Sequence, residues 1–215
     1  MKNKAERKPV ILVLYHSLYG HLQPMSEAIA QGVEMGGGEP KIRQVQGLIP
    51  RERWSKPIKI AKKKMEKIPF ADPETELEGI DGIIVGSPTH FGLMSAQMKS
   101  FWDQTSTALL KGSLNGKPAG VFTSSATQHV GNEMSMMSII VTLLHHGCLI
   151  TGLRFEDKMI DGGLRTVDEV SGGSVYGAST ITGPLGERLP SQNELMLARV
   201  LGHTVTTTAA KLIKE

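Results

Sequence analysis

The sequence predicts a doubly wound α/β fold, a five-stranded parallel sheet in the order 2-1-3-4-5 with helices on both faces. Three observations carry this expectation. Short apolar runs such as Val10–Tyr15 and Gly82–Gly86 read as strands covered on both faces. Segments of helical period alternate with them, the pattern of βαβ units. Polar loops of specific composition follow strands one, three and four, where open α/β sheets bind ligands.

Composition sets the outer limits. The 215 residues carry 40% hydrophobic and 21% charged side chains and a net charge of +3, a globular balance too weakly basic to argue for nucleic-acid binding. Cys148 is the single cysteine, so no intramolecular disulfide forms. No signal-peptide pattern or membrane-length apolar run is evident, and a cytoplasmic protein without integral membrane contact is expected. Residues 1–8 read as a basic extension and 9–215 as one domain. No His/Cys pairs fall at zinc-ligand spacing, so no metal is expected.

The first strand leads into Ser17-Leu18-Tyr19-Gly20-His21 and a helix from Leu22, with Pro24 in its first turn. Such a junction presents unpaired backbone N–H groups and the positive end of a helix dipole, which suits an anion, most often a phosphate. Ser17 adds a hydroxyl, and Gly20 allows close approach. Gly36-Gly37-Gly38 ends that helix, and Lys41–Val45 reads as a second strand near an edge. Residues 48–75 are irregular and basic from Arg51 to Lys67. They read as a solvated surface with a helical turn or two, or as a contact surface for an anionic or oligomeric partner around Trp54 and Phe70.

After the third strand comes Pro88-Thr89-His90-Phe91-Gly92, in which an apolar ring sits between polar residues. Ser95 caps the following helix, whose Met98, Phe101 and Trp102 share a face. The fourth strand ends in Ser124-Ser125-Ala126-Thr127-Gln128-His129. Asn132 is read as the cap of a helix to His145, with Met134, Met137, Ile140, Val141 and Leu144 as its core face. Cys148–Thr151 is the fifth strand, and a glycine-rich connection from Leu153 to Pro190 contains Tyr176. Ser191 and Glu194 form a capping box for a last helix, Leu195 to Lys214, whose core face carries Leu195, Ala198, Leu201 and Val205. In the order 2-1-3-4-5 the three polar loops converge at the switch point between strands one and three, where FMN sits in flavodoxin-like folds.

Six strings carry a resemblance over nearly the whole chain: Ser17–His21, Gly86–Gly92, Met94–Thr105, Leu143–Gly147, Gly172–Thr180 and Pro190–Leu195. The sequence resembles the flavodoxin-like NAD(P)H:quinone oxidoreductases of the Trp-repressor-binding-protein family. That resemblance implies an FMN enzyme, usually a homotetramer, which reduces quinones by two electrons with NADH or NADPH in a ping-pong cycle. It implies that Ser17, Leu18, Tyr19, Gly20, His21 and Leu22 cradle the FMN phosphate. Thr89, His90 and Phe91, with Pro88 and Gly92, line the isoalloxazine; Ser124, Ser125, Ala126, Thr127, Gln128 and His129 wrap its other side. His146, from this chain or a neighbouring subunit, touches the flavin. Tyr19 lies where the nicotinamide approaches, and His90 and Tyr176 support a reaction needing no protein nucleophile. The chain departs from the family pattern at three places. His90 stands where arginine is common, Ala126–Val130 replaces a glycine-rich turn, and Leu109 takes the place of a quinone-stacking tryptophan. Two other readings share the fold. An electron-carrying flavodoxin would be more acidic and shorter; the other is a flavin-free interaction protein, and nothing in the sequence resembles a helix-turn-helix or a nucleic-acid groove.

Overall fold

The structure, a computed structural model, describes residues 7–153, 164 and 169–213. Most of the basic extension, Gly162 and Gly163, and the end of the last helix lie outside the described residues. The sheet runs β2-β1-β3-β4-β5 with every pairing parallel. β1 (Val10–Tyr15) and β3 (Gly82–Pro88) are buried on both faces, as their unbroken apolar runs require, while β2 (Glu39–Gln44) is the more exposed edge. β4 (Pro118–Ser125) is buried throughout.

The fifth strand is divided. β5 (Leu149–Ile150) pairs with Pro118 and Ala119 at the start of β4, and β6 (Ala178–Ile181) pairs with Phe122–Ser125 at its end. The sequence reading left Ala178–Ile181 inside the glycine-rich connection. Its four residues are too short a run to stand out from neighbouring glycines, and only β4 makes it a strand.

Helices cover both faces. α1 (Leu22–Met35) and α6 (Gln192–Ile213) pack on one side with Val13, Tyr15 and Phe122. α3 (Ala96–Asp103), α4 (Ser106–Leu110) and α5 (Asn132–His145) belong to the other, where Met98, Phe101, Trp102 and Leu143 meet Leu12 and Val85. α2 (Lys56–Lys64) gives the basic segment a helix of nine residues, longer than its composition suggested. Gly37, at φ +81°, closes α1 in the left-handed conformation that glycine favours. Ser95 caps α3 as expected, its Oγ accepting from the Met98 N–H.

Two expectations for α5 fail. Left-handed Gly131 caps it, and Asn132 is already helical. Its buried residues are Asn132, Ser135, Met136, Ile139, Ile140 and Leu143, so of the expected core face Ile140 is buried, whereas Met134, Met137, Val141 and Leu144 face outward. Apolar residues lie all round this helix, so periodicity did not distinguish its inner face.

α1 and α6 approach so closely that two glycines are obligatory. A Cβ on Gly32 would lie 1.9 Å from the Arg199 carbonyl oxygen, and one on Gly202 would lie 2.1 Å from that of Ile29. At the start of α6, the fully buried Glu194 forms the expected capping box: its carboxylate accepts the Ser191 N–H while Ser191 Oγ accepts the Glu194 N–H. The carboxylate also accepts from the Gly172 and Ile181 N–H groups, Thr180 Oγ1 and Arg188 Nη1. Glu194 therefore joins β6, the segment after it and α6 into one body.

Gly32→Ala should cost about 3 kcal/mol and lower Tm by roughly 6–12 °C, because backbone must move to admit the methyl group; calorimetry showing an unchanged Tm would refute the close packing. Glu194→Gln removes the charge that balances Arg188 and should cost ~3 kcal/mol in denaturant unfolding. An effect below about 0.5 kcal/mol would mean that the hub is not structural.

Candidate active site

Three loops and one unforeseen segment enclose a cleft of about 420 Å³ at the carboxyl edge of the sheet. Its floor is the β1–α1 junction. Ser17 is buried, and its Oγ accepts the Gly20 N–H at 3.0 Å, leaving the hydroxyl proton free to donate. Gly20 has φ +87°, and its Cα side lies against Ala61, so this tight turn suits glycine. The N–H groups of Leu18, Tyr19 and His21 donate to no described residue. α1 carries no acidic residue in its first turn, so its positive end is uncompensated. Lys62, whose ammonium donates to the Ser17 carbonyl at 2.9 Å, adds positive charge beneath the loop; burial lowers its pKa. Leu22, expected at the site, is fully buried in the core and does not line the cleft.

One wall comes from the end of β3. Pro88, Thr89 and His90 line the cleft. The Thr89 N–H donates to the Ser124 carbonyl at 2.9 Å, fixing this wall to the next. Reciprocal bonds between His90 and Leu93 close a two-residue turn at Phe91 and Gly92, with φ of 54° and 81°, the torsions of a type I′ hairpin turn. A phenylalanine with positive φ is strained, and the Phe91 ring is fully exposed at the tip. Ser124, Ser125 and Ala126 form the second wall. The third consists of Thr182–Gly186 and was missed by the sequence reading. Its clue was Gly183-Pro184-Leu185-Gly186 in a connection already suspected of function. The His21 ring meets the Gly186 carbonyl, Nε2 at 2.9 Å, and thereby ties this wall to the β1–α1 loop.

Among the described residues no carboxylate lines the cleft. The donors on its floor suit a phosphate monoester, and the hydroxyls and imidazole between Thr89–His90 and Ser124–Ala126 suit the polar edges of a flat ring. Ser17, Leu18, Tyr19, His21, Pro88, Thr89, His90, Ser124, Ser125 and Ala126 are brought together as expected. Phe91, Gly92, Thr127, Gln128 and His129 lie beyond the lining, although the Ser125 hydroxyl donates to the Thr127 carbonyl at 2.9 Å. Leu109 on α4 and Tyr176 in its own tight turn are exposed away from the cleft. His146 does not reach the cleft of its own chain. It ends α5 at the opposite edge of the sheet, buried, 3.2 Å from Thr105 Oγ1 and packed on Trp102.

Below the junction, His16 is 1% exposed, and burial, reinforced by nearby Lys62, pushes its imidazole from 6.5 down to about 4. Between those values the unfolded chain binds a proton that the native state refuses, so stability falls as pH drops from 6.5 toward 4. This group should account for about 3 kcal/mol of acid sensitivity. His16→Phe should flatten urea-derived stability over that range, and an unchanged pH slope would show that His16 is charged or solvated in the native protein.

Comparison with known proteins places this geometry in a family. Residues 8–155 match the model of the NADPH-dependent FMN reductase family. The chain is 44% identical to an NAD(P)H dehydrogenase (quinone) of Gluconacetobacter diazotrophicus over 94% of its own length and 98% of the relative's. It is 45% identical to one of Afipia carboxidovorans with the same coverage. Its fold is similar to that of a WrbA-like flavodoxin from Agrobacterium tumefaciens, with a TM-score of 0.61 at 24% identity over 95% of this chain and 99% of the other. The chain, with its flavodoxin-like sheet and its cleft at the switch point, belongs to the NADPH-dependent FMN reductase family and, within it, groups with the NAD(P)H dehydrogenases (quinone).

Proposed function

We propose that the protein is an FMN-dependent NAD(P)H:quinone oxidoreductase that transfers two electrons in a ping-pong cycle. The observation that carries this reading is the carboxylate-free cleft, with unpaired N–H donors at the helix end of its floor and polar walls beside it. FMN, when bound, supplies two-electron redox chemistry shared in turn by NAD(P)H and a quinone. The backbone of Leu18, Tyr19 and His21 and the Ser17 hydroxyl hold its phosphate. Thr89, His90, Ser124, Ser125 and Ala126 orient the ring, and Thr182–Gly186 cover it from water. His90 would place an imidazole beside the ring, where a donated hydrogen bond stabilises negative charge. Tyr19, more than half exposed at the cleft mouth, offers a surface to the nicotinamide.

The working protein is proposed to be a homotetramer. The outward side chains Met134, Met137, Val141 and Leu144 of α5, with Leu109 and Leu110 of α4, are large exposed apolar groups of the kind a partner subunit covers. Such assembly is the route by which Leu109, Tyr176 or the region of His146 would approach a neighbour's cleft. Among the described residues no helix is long and apolar enough to cross a membrane, and a cytoplasmic location is proposed.

FMN titrated into the purified protein should lose fluorescence on binding, and NADH or NADPH with benzoquinone should then turn over with parallel lines in double-reciprocal plots. Ser17→Ala should weaken FMN binding about tenfold, the loss of one hydrogen bond to a charged group. FMN uptake without NAD(P)H oxidation would replace this reading with an electron carrier; no uptake would end it.

A further inference from the structure

A second cavity, about 280 Å³, shares Leu18 with the cleft and opens between α2 and the 46–51 loop. His16, Gln97, Lys62, Arg51 and Trp54 line it, and no carboxylate does. Two of these side chains are more than nine-tenths buried, His16 at 1% and Gln97 at 8% exposure. Each has a buried polar atom without a partner among the described residues, His16 Nε2 and Gln97 Oε1. Leaving such atoms bare is unfavourable, so a ligand that satisfies them gains affinity. His16 Nδ1 faces the Val45 carbonyl at 3.4 Å and so carries the ring proton, which leaves Nε2 an acceptor. Both unpartnered atoms therefore call for N–H or O–H donors. Around them the charge is positive: Lys62 lies below, and the Arg51 guanidinium sits 5.8 Å from the centre of the Trp54 ring.

An occupant must combine a donor-bearing group with an anion and a flat body of modest size. Inorganic phosphate lacks the flat body, and an uncharged aromatic lacks the anion. A nucleotide half has both. The nicotinamide half must enter the cleft to react, which leaves the adenylate half of the same co-substrate for the adjoining cavity.

We propose that this cavity is the binding site for the adenylate half of NAD(P)H, with the exocyclic amine on His16 and Gln97 and phosphate on Lys62 and Arg51. The proposal rests on the NAD(P)H-oxidising reading above. It gives a use to Arg51 and Trp54, which the flavin cleft does not absorb.

The test is calorimetric titration of AMP into full-length protein saturated with FMN, so that the phosphate-binding loop is occupied. Gly47 lines the cavity, and a Cβ there meets nothing within 4 Å, so Gly47→Phe adds bulk without a backbone clash. AMP should bind, Gly47→Phe should weaken it tenfold or more, and Gln97→Leu about tenfold. Both variants should still quench FMN fluorescence, which shows that they are folded. Failure of AMP to bind the FMN-loaded protein, affinity unchanged in both variants, or displacement of AMP by equimolar inorganic phosphate would each overturn the proposal. A protein that takes up FMN but not AMP overturns this inference alone, whereas one that takes up no FMN overturns the functional reading.

Discussion

The backbone of the β1–α1 junction must turn sharply at Gly20 and leave several N–H groups unpaired at the head of α1. That arrangement persists only because β1 is locked between β2 and β3 and α1 is locked against α6. The Gly32 and Gly202 contacts set the depth at which α1 lies on the sheet, and thus where its positive end points. Electrostatic function at the cleft is in this sense a result of helix packing on the far side of the same helix.

The cleft is completed by a second device of a different kind. Dividing the fifth strand lets the chain leave the sheet after Ile150 and return at Ala178, so that Thr182–Gly186 emerge over the cleft. Glycine-rich backbone has little packing of its own to hold such a path, and the buried Glu194 carboxylate supplies the anchor through its bonds to Gly172, Ile181, Thr180, Ser191 and Arg188. His21, bonded to Gly186, connects that anchored wall to the β1–α1 floor of the cleft.

The strand order, the three polar loops and the Ser191–Glu194 capping box were legible in the sequence because each is a local pattern with a local cause. β1 and β3 are unbroken apolar runs, and Ser95 and Ser191 precede helices they cap. What was not legible depends on distant partners. Ala178–Ile181 is a strand only beside β4, and Thr182–Gly186 is a wall only because Glu194 holds it. The inner face of α5 was misjudged because methionine, valine and leucine occupy both of its sides, and the sequence alone does not say that Met134, Met137, Val141 and Leu144 stay exposed among the described residues. The family resemblance named His146, but no pattern showed that it would fold against Trp102 and Thr105.

If the β1–α1 junction is what selects the cofactor, the phosphate must carry much of the affinity. Comparing the dissociation constants of FMN and riboflavin for the same protein isolates that contribution, since the two ligands differ only by the phosphate. Two or more charge-assisted hydrogen bonds from the junction should make FMN bind about 100-fold more tightly or better. Equal affinities would contradict this assignment, since the flavin would then be held by its ring and the open N–H groups of Leu18, Tyr19 and His21 would serve something else.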